Sequence, residues 1–154
     1  MGFGRSVARG ATFSGLLALL VAGAADAQVQ NAAQQGCINA LNKSGQKVAA
    51  TQGKDISSCI KDAGLGKLPM EMDADDCLTA DRKGKVATAT TKTIEGETAK
   101  CTEAPSFGFS GSATVNQVAV AQEVALAGDL YGSSVDDAIS TNSVDAKCQS
   151  SVTK

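Results

Sequence analysis

Histidine and tryptophan are missing from the 154 residues, tyrosine occurs once, phenylalanine four times and proline twice. Without histidine there is no Ser–His or Cys–His nucleophilic pair and no histidine metal site. The scarcity of aromatics removes the side chains that bury most area. Alanine and glycine supply much of the remainder, and each ordered residue still costs on the order of 1–2 kcal/mol of conformational entropy. A chain of this composition needs cross-links to hold a small domain together.

Cross-links are what the sequence offers, together with an export signal. Cysteines stand at 37, 59, 77, 101 and 148. Residues 1–27 read as a signal peptide. Arg5 and Arg9 form a positive start, ATFSGLLALLVAGAA (11–25) is an apolar core too short to span a membrane, and Ala25-Asp26-Ala27 is a cleavage site. The pattern Met1-Gly2 to Ser6 fits myristoylation, but the signal core follows it directly. The mature chain is expected from Gln28, or from Ala25 if Ala22-Gly23-Ala24 is used. A secreted or periplasmic location follows, where thiols oxidise to disulfides. Stable membrane insertion is not expected after cleavage. Without Arg5, Arg9 and Asp26 the chain carries 12 basic and 15 acidic residues, with signs interspersed. Nucleic acid and anionic membranes are therefore not expected as partners; the charge pattern does not identify the partner, and a protein is the candidate kept.

Two cysteine-bounded segments echo each other. The first spans 37–59 and the second 77–101, with KVAATQGK (47–54) recurring as KVATATTK (85–92). Ile38, Leu41, Val48, Ile56 and Ile60 fall at helical spacings and predict a helix over 31–61, stopped by Gly64 and Gly66. Asp73, Asp75 and Asp76 then sit where a second helix would start, running to about residue 100. Gly45 and Gly84 weaken these helices by about 1 kcal/mol each. Their matching positions suggest close backbone contact.

Residues 105–154 form the second part. SFGFSGS (106–112) is a Gly/Ser turn carrying Phe107 and Phe109. Thr114 to Gln117 has the form of a capping box opening a helix that stops at Gly132. Alternating Val118, Val120, Val124 and Leu126 would also suit a strand, but length and alanine content favour helix. Ser133 to Asp136 caps a further short helix. Cys148-x5-Lys154 repeats the spacing of Cys37-x5-Lys43 and Cys77-x5-Lys83, and then the chain stops. A truncated C-terminus with Cys148 unpaired is the expectation.

Helix geometry selects the pairing. Cys37 and Cys59 would lie about 33 Å apart along one helix, whereas a disulfide needs Cα atoms within about 7 Å. Parallel helices would require the connector to run back their whole length. An antiparallel hairpin needs only Cys59–Cys77 inside Cys37–Cys101. One strain remains: 24 residues of helix put Cys101 about 120° round from Cys77, and a kink or early end at Gly96 would absorb it. The predicted fold is all-α: a disulfide-stapled antiparallel α-hairpin over 28–104 with additional short helices over 105–154.

The hairpin resembles twin-cysteine α-hairpin proteins in topology, although those use shorter spacings. CLTADRKGKV (77–86), PSFGF (105–109), DLYG (129–132) and KCQ (147–149) resemble secreted cysteine-rich proteins of environmental bacteria that have no known activity. That resemblance implies export and the cysteine framework, and it designates no catalytic residue.

Other motifs are weak. Ser44/Lys47, Ser58/Lys61 and Ser151/Lys154 share a Ser-x-x-Lys spacing, but the companion motifs of serine acyl-enzymes are missing. Glu71, Asp73, Asp75 and Asp76 could hold calcium, yet they depart from the EF-hand loop and read as helix caps. Glu123, Asp129, Asp136 and Asp137 read as solvated charges. Asn42-Lys43-Ser44 is a glycosylation acceptor only in a eukaryotic host. Phe107 and Phe109 are read first as core plugs against the hairpin, with a contact site as the alternative. No catalytic residue, metal or cofactor is expected. The functional expectation is a non-enzymatic exported binding or structural protein, with an enzyme inhibitor and then a hydrolase as alternatives.

Overall fold

The computed structural model describes residues 29–132, 134–139 and 151. The signal-like segment, the expected C-terminal truncation and Cys148 lie outside the described residues. Among the described residues there are five helices and no strand: α1 Ala32–Gly64, α2 Ala74–Cys77, α3 Lys85–Lys100, α4 Gly111–Tyr131 and α5 Val135–Ala138.

Helix α1 begins where its sequence provides a capping box. The Asn31 side chain accepts from Gln34 N–H, and the Gln34 side chain accepts from Asn31 N–H. It ends at Gly64, with Gly66 in the left-handed region. Its buried line includes Cys37, Leu41, Gly45, Val48, Gln52, Ile56, Cys59 and Ile60. Most of these recur every three or four residues, the spacing that keeps one helical face turned inward.

The expected second helix is two helices. α2 spans one turn, capped by Asp73 accepting from Asp76 N–H, and the chain then reverses through 78–84. Asp81 adopts φ 43° and Gly84 φ 61° in this turn. Both carboxylate oxygens of Asp81 accept from the first turn of α3, from Val86 and Ala87 N–H. The helix therefore restarts at Lys85. Gly96 does not end α3, and no kink there is needed, because Cys77 and Cys101 lie on different helices. The Gly84 expectation also changes. Nothing lies within 4 Å of where its Cβ would be, so it serves the left-handed backbone rather than a close contact.

Both expected disulfides are present: Cys37–Cys101, with Cα atoms 4.7 Å apart, and Cys59–Cys77, at 5.7 Å. They clamp α3 antiparallel to α1 at one end and α2 to α1 at the other. Helix α4 returns parallel to α1. Gly45 meets Val115, and Gly53 meets Glu123 eight residues further along both helices. With Ala49 between them, these glycines give α1 a row of small residues at four-residue spacing, the kind of groove that lets a neighbouring helix approach.

Helix α4 is not short, and it starts earlier than the Thr114–Gln117 pattern suggested. Ser110 is its N-cap but makes no side-chain cap bond. Glu97 of α3 takes that role, accepting from Ser112 N–H at 3.1 Å and from the Ser112 hydroxyl. Buried Asn116 donates from Nδ2 to Thr90 O at 3.1 Å, a second tie to α3. The main apolar core lies at the Cys59–Cys77 end. It joins Ile56, Cys59, Ile60, Ala74, Cys77, Leu78, Ala127 and Val135, with Tyr131 packed against them.

Candidate functional site

Three features gather polar or exposed apolar groups. The acidic loop comes first. Asp75 Oδ1 accepts from Val135 N–H at 3.0 Å, and Asp136 Oδ1 accepts from Ala74 N–H at 2.9 Å. Each one-turn helix thus has its free N–H groups covered by a carboxylate from the other, alongside the local caps Asp73 and Ser134. Asp73 and Asp75 are caps, as the sequence indicated, whereas Asp136, expected to be a solvated charge, is held as a cap by the N–H groups of Ala74 and Asp75 across the loop. Glu71 and Asp76 are exposed beside them. Among the described residues no three His, Cys, Asp or Glu side chains gather as a metal site would require.

The Asp55 carboxyl is pushed above its ordinary value. Burial raises it first, then the neighbouring Asp81 charge, while Arg82 and Lys83 pull it back down. Its Oδ2 is buried, with no hydrogen-bond partner among the described residues. Arg82 turns instead to Asp62, with Nη2 to Oδ2 at 2.6 Å. The charged groups here sit between helices as structural neighbours, and Asp55 lines none of the grooves described below.

The exposed surface of α4 is the second feature. Val118, Leu126 and Leu130 are 51%, 49% and 45% exposed. Sequence steps of eight and four put them within about 120° of one another on the helix. The helix carries no lysine or arginine. A groove of about 660 Å³ runs along its α3 side, lined by Val120, Ala121, Val124 and Ala125 with Thr79 and Thr90. The structure separates the two phenylalanines. Phe109 is half-buried against Ile38, Leu41 and Val115. Phe107 is 43% exposed and does not fill the core; the chain turns between the two rings at Gly108, φ 68°.

The third feature answers why the chain repeats itself. A groove of about 540 Å³ lies along the seam of α1 and α3, lined by Lys47, Lys54, Lys85 and Lys92. These are the outer lysines of the two echoed segments. Ala50 and Ala89 lie between them, and Ser44, Thr51 and Thr88 complete the lining. Counting ten residues on from Cys37 and nine back from Cys101 reaches Lys47 and Lys92. Seven more along each helix reaches Lys54 and Lys85. Seven residues rise about 10 Å and return to nearly the same face, so the four cations form two facing pairs. Among the described residues none of them is in an ion pair. The signal was present in the sequence as K-x6-K written twice. Its meaning depended on the antiparallel register, which turns interspersed charges into a one-sign seam.

No described helix is long and apolar enough to cross a membrane. Comparison with family models, with curated proteins and with solved structures finds no match.

Proposed function

We infer that this is an exported, non-catalytic binding protein whose α4 flank docks a protein partner. The observation that carries the reading is the half-exposed set Val118, Leu126 and Leu130 along the α1 side of a helix free of basic residues, with an apolar groove on the α3 side of the same helix. Large apolar side chains left exposed along one helix flank mark interaction surfaces in soluble domains. Two disulfides hold the helix behind it, so little ordering entropy opposes docking. Exposed Phe107, in the loop that leads into α4, adds an aromatic contact at the same end as Val118. Export agrees with the signal-like residues 1–27 and with the disulfides, which persist in a secreted or periplasmic setting. An enzyme inhibitor is the same reading with an enzyme as the docked protein.

The test is site-specific photocrosslinking in the native host. A photoreactive residue replacing Leu126 is expected to give a discrete protein adduct. The same residue replacing Glu95, exposed on α3, is expected to give none. Equal labelling from both positions, or none from either, contradicts the reading.

A further inference from the structure

We propose that the lysine seam between α1 and α3 binds an acidic polysaccharide. The proposal concerns a different face from α4 and stands independently of the reading above. Lys47 lies two residues, about 200°, round α1 from Gly45, which faces α4.

The charges come first. Lys47 with Lys92, and Lys54 with Lys85, line one groove from both sides, and among the described residues no carboxylate pairs with any of them. Four like charges along one seam repel each other. Their field is strongest inside the groove, where low-dielectric walls concentrate it. No neighbouring acid pairs with these lysines among the described residues: Asp55, next to Lys54, is buried near Asp81 and Arg82, and Glu95, one turn beyond Lys92, does not line the groove. A ligand with anionic groups recurring within the roughly 10 Å between the lysine pairs relieves that repulsion at both ends.

The hydroxyls narrow the chemistry. Thr51 Oγ1 donates to Lys47 O at 2.7 Å, and Thr88 Oγ1 donates to Gly84 O at 2.7 Å. With their hydrogens engaged by their own helices, both oxygens have lone pairs left as acceptors beside the cations. The groove therefore asks for a ligand carrying negative charge for the lysines and hydroxyl donors for the threonines. A chain of uronic acids has both. Polyphosphate has no hydroxyl donors along its length. Single-stranded nucleic acid relies on aromatic stacking platforms, and no aromatic lines this seam. Ala50 and Ala89 leave room for a sugar ring to approach the backbone between the cations.

The disulfide fixes the geometry. Cys37–Cys101 sets the register that brings the lysines opposite one another, so the site belongs to the oxidised protein. The experiment is calorimetric titration of the full oxidised chain with oligogalacturonate, at low and at high salt. Binding that weakens with salt is expected. Lys47→Gln with Lys92→Gln is expected to weaken it about tenfold, as is Lys54→Gln with Lys85→Gln. Lys61→Gln with Lys67→Gln, the same charge change at exposed positions off the seam, is expected to leave it unchanged. No binding of oligogalacturonate overturns the proposal, and so does an equal loss in the Lys61 and Lys67 variant. Equally tight binding of polyphosphate or polythymidylate through the same lysines also overturns it, because charge density alone would then be the selector.

Discussion

Asp55 shows how a single side chain can tie stability to pH. Its carboxyl is held above the ordinary 3.8, chiefly by burial and then by Asp81. Between 3.8 and the raised value the folded state holds a proton that the unfolded state has lost. Stability from this group is therefore complete below 3.8, falls as pH rises through that window, and stays reduced above it. Asp55→Asn removes the charge while keeping the shape. The variant should melt above the parent at pH 7, and the advantage should vanish as pH falls below 3.8. Melting curves across that range check it; a pH-independent difference would mean that packing, not ionisation, sets the effect. Nothing in the sequence marked Asp55 out. Its burial depends on the reverse turn that brings Asp81 and Arg82 across α1.

At the scale of the helices, α1 and α4 meet through a row that lacks side chains. A Cβ on Gly45 would lie 2.6 Å from Val115 Cγ1, and Val115 is β-branched with little rotamer freedom. A Cβ on Gly53 would meet only the flexible end of Glu123, at 2.9 Å. Gly→Ala in a helix gains about 1 kcal/mol of propensity, while overpacking costs about 1–3 kcal/mol. Gly45→Ala should therefore be neutral to destabilising by about 2 kcal/mol and be rescued by Val115→Ala. Gly53→Ala should stabilise. Denaturant titration of the three variants decides, and a stabilising Gly45→Ala with no coupling to Val115 would contradict the packing. The elements were unevenly legible. α1 announced itself through Asn31, Gln34 and its periodic Ile, Leu and Val. The break after Cys77 was hidden because Asp73, Asp75 and Asp76 form a strong start signal, whereas the true start of α3 depends on Asp81 at a positive φ. The start of α4 was missed for a related reason: its cap is Glu97, supplied by another helix, so no local pattern records it.

For the whole molecule, the cysteine spacing carried more of the fold than hydrophobic patterning did. Nested pairing followed from the length of a helix and the reach of a disulfide, and those two lengths hold even though the second helix is broken. The α4 flank and the lysine seam were less legible because both are properties of assembled faces. Val118, Leu126 and Leu130 look like core residues until they are seen at the edge of the α1–α4 contact, half covered by α1. The core at the Cys59–Cys77 end is small and rich in alanine and cysteine, so the cross-links must supply a large share of the stability. Loop entropy sets that share at about 3 kcal/mol for the bridge closing 18 residues and about 4 kcal/mol for the one closing 64. Both values are comparable with the net stability of a small domain. The most direct measurement is the melting temperature of the chain with its disulfides intact and after reduction. The account predicts a fall of more than about 10 °C, or loss of a cooperative transition. An unchanged melting temperature would mean that the helices hold together without their bridges.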